Sequence, residues 1–419
     1  MNQPRIIAYN LILDWYKNGT FPNLALKNVL RSVSVPRDKR FITALVYGVI
    51  ERKLTLEYFI GKVCDRPVER LDKSVLVLLQ MGIYQAFYMN VPPSAACDTT
   101  VELAHSLKLR YCSGLINAVL RRCCDEQDEL KLLRKTDFSV RYSISTDLTE
   151  LLISQYGKET FVQMMERLSE HADFLYIYHH QKKCSSDELK FSLKKEGVTI
   201  QETSLPHLFC CVHGFAVDQT YAFQNGFFHI VGPHSAETAL QMPDRAETVI
   251  DLCAAPGGKT FILSENCAGT VYAFDIHSHK IDLMKKDAAR LKQDNVLFQT
   301  ADSTLYHAEF DSTADFVLCD VPCSGLGMIA RKPDIKYKTL DFDSLKAVQE
   351  TILRNGARYL KPAGVLTYST CTINITENEE IVYSFLREKP GFRLCEMKTY
   401  LPGIDGDGFF IAVFRKDQI

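Results

Sequence analysis

The sequence has no hydrophobic run long enough to cross a lipid bilayer. Its longest apolar stretch, VLVLLQMGIYQAF from Val75, is interrupted by Gln80 and Gln85 and falls short of the roughly 20 residues that a spanning helix needs. No charged segment followed by an apolar one comes after the opening MNQPRIIAYN, so a secretion signal is not indicated. We therefore expect a protein of the cytoplasm that does not enter a membrane.

Metal-binding and disulfide patterns are also lacking, although the chain contains 14 cysteines. The cysteines form no paired Cys-x-x-Cys motifs, no Cys/His zinc spacing and no framework like that of small disulfide-rich proteins. We expect free thiols in a reducing compartment and no structural metal.

The chain as a whole lacks the excess of positive charge that nucleic-acid-binding domains usually carry. Its net charge is -2 and its pI is about 6.6. Residues 1–150, however, hold 21 Lys and Arg against 16 Asp and Glu, which leaves a net charge of -7 for the rest of the chain. If RNA binds, we expect the N-terminal part to help hold it. For four of its basic residues, charge alone favours an ordinary solvated helix face over an RNA contact: Lys108, Arg110, Arg121 and Arg122.

A chain of 419 residues exceeds what one hydrophobic core usually organises, so several domains are expected. Apolar residues at helical spacing predict an all-α domain over residues 1–125. Residues 126–245 indicate a helical linker and a small α+β module, in which Ser185 and Glu188 form a candidate capping box. Over residues 246–419, short apolar runs alternate with helical segments, which predicts a doubly wound α/β sheet with ligands at the carboxyl ends of its strands.

The stretch DLCAAPGGKT, residues 251–260, resembles two kinds of nucleotide-binding loop without matching either. A P-loop needs glycine where this chain has Cys253, and the dinucleotide fingerprint G-x-G-x-x-G is missing because residues 254–259 read AAPGGK. What remains is a strand, a tight loop of small residues and the start of a helix. Such a loop lets a ligand approach backbone amides closely.

Acidic residues close three of the following predicted strands: Asp275, Asp302 and Asp320. In a Rossmann-like sheet, an acid at the end of the second strand can accept hydrogen bonds from both ribose hydroxyls, and an acid on the third could meet an adenine amino group. The set suits S-adenosylmethionine, a nucleoside without phosphates. Strands also end in aspartates that only form turns, so each acid by itself fits either interpretation.

Two of the cysteines stand at predicted strand ends, Cys323 in CDVPCSGLG and Cys371 in YSTCT. A cysteine is more often a small buried hydrophobe than a reactive group, but their shared place at the cofactor edge favours chemistry. Carbon 5 of cytosine is a poor nucleophile until a thiolate has added to carbon 6, and cysteine is the natural nucleophile for that step. Asp320 could donate to, or protonate, the ring nitrogen of the pyrimidine.

The strings DLCAAPGGKT, LCDVPCSGLGMIARKPDIKY, LTYSTCTINITENEE and GDGFF resemble those of the RNA 5-methylcytosine methyltransferases. The resemblance covers nearly the whole chain and includes an N-terminal domain similar to the RNA-binding antitermination factor NusB. It implies a class I methyltransferase domain of Rossmann-like fold that acts on 16S ribosomal RNA, like the enzymes that modify cytosine 967, with S-adenosylmethionine as cofactor. It further implies a monomer whose substrate is unassembled or partly assembled ribosomal RNA.

The resemblance also implies roles for individual residues. Asp275 would hold the ribose, Asp302 would meet the adenine, and Asp320 would bridge cofactor and base. Cys371 would be the attacking thiol and Cys323 would assist product release. The methionine and ribose side of the cofactor would be lined by Cys253, Ala254, Ala255, Pro256, Gly257, Gly258 and Lys259. RNA phosphate would be met by Arg331, Lys332, Lys336 and Lys338.

The sequence departs from the family pattern at two places. Members usually carry Arg-x-Asn where this chain has Tyr178 and His180, and a Gln-Asp pair where it has Val231 and Gly232. These changes affect the expected contacts with RNA and with the methionine end of the cofactor, but not the two cysteines.

Two alternatives to this enzyme remain. The first is a binding protein, in which a NusB-like RNA module is attached to a methyltransferase fold that has lost activity. Retention of both cysteines and all three acids favours the enzyme. The second is amino-group methylation, which expects an Asn/Asp-Pro-Pro-aromatic string where this chain has DVPC.

Overall fold

The computed structural model describes residues 3–20, 22–133, 137–169, 174–212, 215–403 and 406–418. The chain divides into two compact units. Unit 1 comprises Met1–Phe161 and Arg331–Lys338, and unit 2 comprises Val162–Ala330 and Thr339–Ile419. This division differs from the boundaries expected after residues 125 and 245, which stay predictions.

Unit 1 is helical, as the apolar periodicity of residues 1–125 predicts. In the part of the chain that the structure describes, its helices are α1 (Gln3–Asn18), α2 (Pro22–Leu30), α3 (Pro36–Glu51), α4 (Lys53–Val63), α5 (Lys73–Tyr88), α6 (Pro93–Ser106), α7 (Ser113–Asp125), α8 (Gln127–Leu133), α9 (Phe138–Tyr142) and α10 (Thr146–Tyr156). The next helix, α11 (Lys158–Ser169), begins in unit 1 and ends in unit 2.

Helix α5 is the centre of unit 1 and carries the longest apolar stretch of the sequence. Eleven of its 16 residues are buried, and α1, α3, α4, α6 and α7 pack around it. The two glutamines that interrupt the stretch are buried, and each makes a side-chain hydrogen bond: Gln80 donates to the Tyr16 hydroxyl, and Gln85 accepts from the Arg5 guanidinium. Among the described residues, no helix is both long enough and apolar enough to cross a membrane.

The segment Arg331–Lys338 belongs to unit 1, although a strand of unit 2 precedes it in the chain. The Tyr337 hydroxyl donates to the Glu51 carbonyl at 2.7 Å. The Lys336 ammonium is buried and donates to the Tyr142 carbonyl at 3.3 Å. The expectation that this lysine meets RNA phosphate is therefore wrong, because its charge does not reach the surface. Lys338 is exposed and pairs with Asp334.

Unit 2 begins with a small antiparallel sheet of order β2-β3-β1-β4. The capping box predicted at Ser185 and Glu188 is confirmed, since each accepts from the other's backbone amide. The elements of this module are β1 (Leu175–His179), α12 (Ser186–Lys195), β2 (Ile200–Glu202), β3 (Leu208–Cys211), α13 (Tyr221–Gln224), β4 (Phe228–Ile230) and α14 (Pro233–Ala239).

The rest of unit 2 is an α/β domain around a seven-stranded sheet of order β10-β11-β9-β8-β5-β6-β7. Its elements are β5 (Thr248–Asp251), α15 (Gly258–Asn266), β6 (Thr270–Asp275), α16 (Ser278–Leu291), β7 (Val296–Thr300), β8 (Ala314–Asp320), α17 (Phe342–Tyr359), β9 (Leu360–Thr370), α18 (Glu379–Glu388), β10 (Phe392–Tyr400) and β11 (Phe409–Lys416). The five strands β5 to β9 are parallel, which confirms the Rossmann-like fold. The antiparallel strands β10 and β11 were not anticipated.

The strand order places a topological switch point at β5, which lies between β6 and β8. Helices that follow neighbouring strands on either side of such a point run to opposite faces and leave a crevice at the carboxyl ends of the strands. The loops after β5, β6, β7, β8 and β9 all reach this edge. The candidate site residues therefore come to one edge of one sheet.

The burial of Lys336 leads to a prediction about stability. Burial lowers the pKa of this lysine to about 8, whereas an unfolded lysine titrates near pH 10.4. The cost of burying its charge is therefore present in full below pH 8 and is lost as the pH rises towards 10.4. We expect Lys336→Met to raise the free energy of unfolding by about 1 to 3 kcal/mol at pH 7, and by much less at pH 10.

Urea unfolding of the variant and of the parent protein at both pH values measures this difference. Lys332→Met is the control, because Lys332 is exposed and its replacement is expected to change stability by no more than about 0.5 kcal/mol. A Lys336→Met protein that is less stable than the parent at pH 7 would contradict the prediction.

Candidate active site

The loop between β5 and α15 forms the centre of the site. Gly257 precedes α15 in a left-handed conformation with φ of 108°, where a side chain would also collide with the Phe261 ring. Only glycine meets both conditions, so this turn needs the residue that the sequence has. The turn leaves the first amides of α15 without helical partners, and such amides favour an electronegative ligand.

Asp251 closes β5 beneath this loop and is a site residue that the sequence analysis did not single out. Its carboxylate is buried, and Oδ2 accepts from the Thr260 hydroxyl at 2.7 Å. Burial raises the pKa of Asp251 to about 7. Its Oδ1 has no hydrogen-bond partner among the described residues. An orphaned buried oxygen beside the loop fits a ligand that brings a hydrogen-bond donor, such as the ammonium group of S-adenosylmethionine.

The expected ribose and adenine acids lie on the two neighbouring strands. Asp275 closes β6 and accepts through Oδ1 from the His277 amide at 2.9 Å. Asp302 follows β7 and accepts through Oδ1 from the amide and hydroxyl of Thr304. Each aspartate thus shapes a local turn, as the structural alternative predicts. The turn contacts use Oδ1 of each carboxylate, so a ligand role for Oδ2 is compatible with the turn.

An ion pair joins the loop to the end of β8. The Lys259 ammonium lies 2.7 Å from Oδ2 of Asp320, and the Ser369 hydroxyl donates to Oδ1 at 2.8 Å. The same ammonium lies 5.2 Å from the centre of the Phe409 ring, within reach of a cation–π interaction. Asp320 is therefore held by one donor on each carboxylate oxygen, and Lys259 reaches across the crevice to it.

The two candidate cysteines come together because their strands are adjacent. Parallel pairing of β8 with β9 puts Asp320 opposite Ser369, and the chain then leads to Cys323 and Cys371. Their sulfur atoms lie 3.3 Å apart. The hydrogen bond to Cys371, together with burial, raises the pKa of Cys323 well above its usual value. The two thiols therefore lie within hydrogen-bonding distance of each other, and either sulfur atom can be the donor.

A buried carboxylate braces the two cysteine-bearing loops, and sequence reasoning missed it. Glu377 is fully buried and accepts hydrogen bonds from the amide and hydroxyl of Ser324, from Gln349 and from Asn374. Ser324 follows Cys323, and Asn374 lies three residues beyond Cys371. Because the donors come from both loops, the carboxylate fixes their separation. The pattern of alternating polar residues in TINITENEE is the signal that could have drawn attention to it.

The departures from the family pattern also have definite places. Tyr178 is buried in β1, and its hydroxyl accepts from the Asn266 amide at 3.2 Å. Gly232 caps α14. A side chain added at Gly258 would touch Val231, so Val231 lies against the first residue of α15 and defines the wall of the loop on that side.

His180, the remaining departure, belongs to a buried row of hydrogen-bonded polar side chains, which we call the histidine chain. Its Nε2 lies 2.8 Å from Nδ1 of His229, whose Nε2 lies 2.9 Å from the Gly258 carbonyl oxygen. On the other side, Nδ1 of His180 lies 3.2 Å from the Glu265 carboxylate and 3.3 Å from the Gln293 amide. Both imidazole rings are buried. The chain runs from the end of α15 to its first turn through the small module.

Comparisons with known proteins find two families along the chain. Residues 238–415 match the family described as 16S rRNA methyltransferase RsmB/F, and residues 2–125 match the NusB family. The probable ribosomal RNA small subunit methyltransferase B of Bacillus subtilis is 31% identical, over 98% of this chain and 98% of its own. The ribosomal RNA small subunit methyltransferase B of Cronobacter sakazakii is also 31% identical, over 98% of each chain.

Solved structures share the fold at lower identity. The crystal structure of PH0851 superposes with a TM-score of 0.80 at 21% identity and covers 99% of both chains. NSun6 from Pyrococcus horikoshii, crystallised with SFG, has a TM-score of 0.58 at 23% identity and covers 65% of this chain and 98% of its own. These likenesses show the fold.

The brace at Glu377 leads to a prediction about the cysteine loops. In Glu377→Gln, one acceptor oxygen becomes an amide nitrogen that faces donors at a fully buried position. We expect the free energy of unfolding to fall by about 1 to 3 kcal/mol. Chemical denaturation of the purified variant measures the loss.

Glu380→Gln is the matched control for this variant. Glu380 lies three residues further on and pairs with Lys346 at the surface, where such pairs contribute about 0 to 1 kcal/mol. Equal, small losses in the two variants would contradict the bracing role of Glu377.

Proposed function

Because the chain belongs to the RsmB/F family of ribosomal RNA methyltransferases, we propose that it methylates carbon 5 of a cytosine in 16S ribosomal RNA through a covalent bond to Cys371. It is an S-adenosylmethionine-dependent RNA methyltransferase with ribosomal RNA as its substrate. The observation that supports the finer proposal is the pair of sulfur atoms, 3.3 Å apart, at neighbouring strand ends. Cytosine 967 is the proposed target, and the cytoplasm is the proposed compartment.

The proposed cofactor contacts follow from the position of the loop after β5. Residues 253–259 line the methionine and ribose side, Asp275 accepts from the ribose hydroxyls, and Asp302 accepts from the adenine amino group. Asp251 accepts from the ammonium group through its orphaned Oδ1. When bound, S-adenosylmethionine supplies an electrophilic methyl group at the crevice. The other steps of the reaction are carried out by side chains at the ends of β8 and β9.

The proposed chemistry divides three tasks among those side chains. The thiolate of Cys371 adds to carbon 6 of the cytosine, which makes carbon 5 nucleophilic. Asp320 bridges cofactor and base and faces the ring nitrogen and amino group of the cytosine. Cys323 carries a proton held by its raised pKa. In the release step, carbon 5 loses its proton to solvent water, the electrons of that bond form the double bond between carbons 5 and 6, and the electron pair of the broken carbon–sulfur bond returns to the Cys371 sulfur. Cys323 donates a hydrogen bond to this departing thiolate.

The proposed RNA contacts extend to the N-terminal part of the chain. Residues 1–125 match the NusB family, and residues 1–150 hold the excess of positive charge. We assign residues 1–125 to RNA binding, 126–245 to a linker and small module, and 246–419 to catalysis. Exposed basic residues take up phosphate contacts, among them Lys332. The protein acts as a monomer on unassembled or partly assembled ribosomal RNA.

An inactive binding protein is the alternative of a different class. It would need neither an orphaned acid beside the cofactor loop nor a hydrogen-bonded pair of thiols at the same edge. Both features are present, and the unpaired buried oxygen lowers the stability of a protein that has no ligand to bind there.

The methylation itself can be tested in cells. In a strain that lacks the protein, we expect one 5-methylcytosine of 16S ribosomal RNA to disappear from a bisulfite map. Expression of the parent protein is expected to restore it, and Cys371→Ala is not. An unchanged map would contradict the proposed reaction, and a lost methyl group on the cytosine amino group would favour the amino-methylation alternative.

The assignment of the two cysteines can be tested by trapping. Cys371→Ala is expected to lose methylation and to form no covalent complex, because no thiolate reaches carbon 6. Cys323→Ala is expected to accumulate a protein–RNA adduct, because addition and methyl transfer proceed while release is slowed. Denaturing electrophoresis of each variant with target RNA and S-adenosylmethionine shows the adduct as a shifted band. The reverse result would exchange the two roles.

A further inference from the structure

We propose that His180 and His229 are positioning residues that hold the first turn of α15 in its cofactor-binding geometry. The proposal rests on the proposed function in one respect, that the loop between β5 and α15 binds S-adenosylmethionine. It assigns a role in cofactor affinity to two side chains of the small module, which have no place in the chemistry described above.

The positions of the protons along the histidine chain follow from its geometry. The Gly258 carbonyl can only accept, so Nε2 of His229 must carry a proton. Burial and the neighbouring His180 ring keep the pKa of His229 well below its usual value, so the ring is neutral and its Nδ1 carries no proton. That nitrogen accepts from Nε2 of His180, which must therefore carry one.

The other end of the histidine chain fixes His180 in the same orientation. Its Nδ1 faces the Glu265 carboxylate and the Gln293 amide. If Nδ1 is protonated it donates to Glu265, and if it is bare it accepts from Gln293. Either pairing leaves the proton on Nε2 directed at His229. Burial raises the pKa of Glu265, but hydrogen bonds from His180 and the Lys182 amide lower it overall.

The histidine chain ends at the peptide unit where the cofactor loop becomes a helix. Gly258 is the first residue of α15 and directly follows the left-handed Gly257. A hydrogen bond to its carbonyl restricts rotation of the peptide plane between Gly258 and Lys259. The amides of this turn face the crevice, so their direction sets how well they meet the cofactor.

The same module contains a matched control. His179, next to His180 in the chain, is also buried, and its Nε2 lies 2.8 Å from the Cys184 carbonyl oxygen. This contact has the same chemistry as that between His229 and Gly258, but it stays within the module. Because successive side chains of a strand point to opposite faces, the His179 side chain does not take part in the hydrogen bonds that join His180 and His229 to α15. Its replacement measures the cost of losing a buried imidazole without disturbing the cofactor loop.

The test compares full-length His229→Leu, His180→Leu and His179→Leu by calorimetric titration with S-adenosylhomocysteine, without RNA. We expect His229→Leu to raise Kd about tenfold, which corresponds to about 1.4 kcal/mol, and His180→Leu to raise it about threefold. His179→Leu is expected to lower the melting temperature about as much as His229→Leu does, and to leave Kd unchanged. His229→Gln, whose amide nitrogen can still donate to the Gly258 carbonyl, is expected to restore Kd to within about threefold of the parent.

Two results would overturn the proposal. One is an unchanged Kd in a folded His229→Leu or His180→Leu protein. The other is an equal weakening by His179→Leu, which would mean that loss of stability alone explains the effect. If His229→Leu does not fold, His180→Leu and His229→Gln still decide between these results. A parent protein that does not bind S-adenosylhomocysteine would overturn the proposed function, and this inference with it, whereas normal parent binding with unaffected variants overturns this inference alone.

Discussion

The parallel pairing of β8 with β9 is the constraint on which the site depends. It puts Asp320 opposite Ser369, so that the two chain segments leave the sheet side by side and their cysteines meet within 3.3 Å. Pairing of β8 with β5 then brings Lys259 within reach of Asp320. A shift of β9 by one residue would turn every side chain of the strand to the other face. The two candidate cysteines therefore meet in one register only.

Buried polar groups then tune what the sheet assembles. Glu377 is completely satisfied by donors from both cysteine loops, and it serves as a rigid brace. Asp251, also buried, keeps one oxygen without a partner among the described residues. A buried carboxylate whose hydrogen bonds are all made stabilises its surroundings. A buried carboxylate with an unpaired oxygen lowers the stability of the protein, and a bound ligand that donates to that oxygen can restore it.

Sequence reasoning reached the fold and the position of the candidate residues at strand ends because both depend on local signals. Strand ends are marked by short apolar runs followed by acids or glycines, which located Asp275, Asp320, Cys323 and Cys371. It did not reach Glu377 or the histidine chain, since their partners lie 53 and 49 positions away in the chain and are ordinary residue types. The burial of Lys336 was missed because a basic run gives no sign of which lysine faces inward. The strand pair β10–β11 was missed because no crossover helix separates its strands.

The ion pair between Lys259 and Asp320 has a consequence for ligand binding within the proposed mechanism. A cytosine that binds to Oδ2 of Asp320 competes with an ammonium group that already lies 2.7 Å away. The methionine carboxylate of the cofactor offers that ammonium another anion, and so lowers the cost of the exchange. By thermodynamic linkage, each ligand then tightens the binding of the other. Within the proposed mechanism, the cofactor-loaded protein therefore binds the base more tightly than the empty protein does, and the base-loaded protein binds the cofactor more tightly in return.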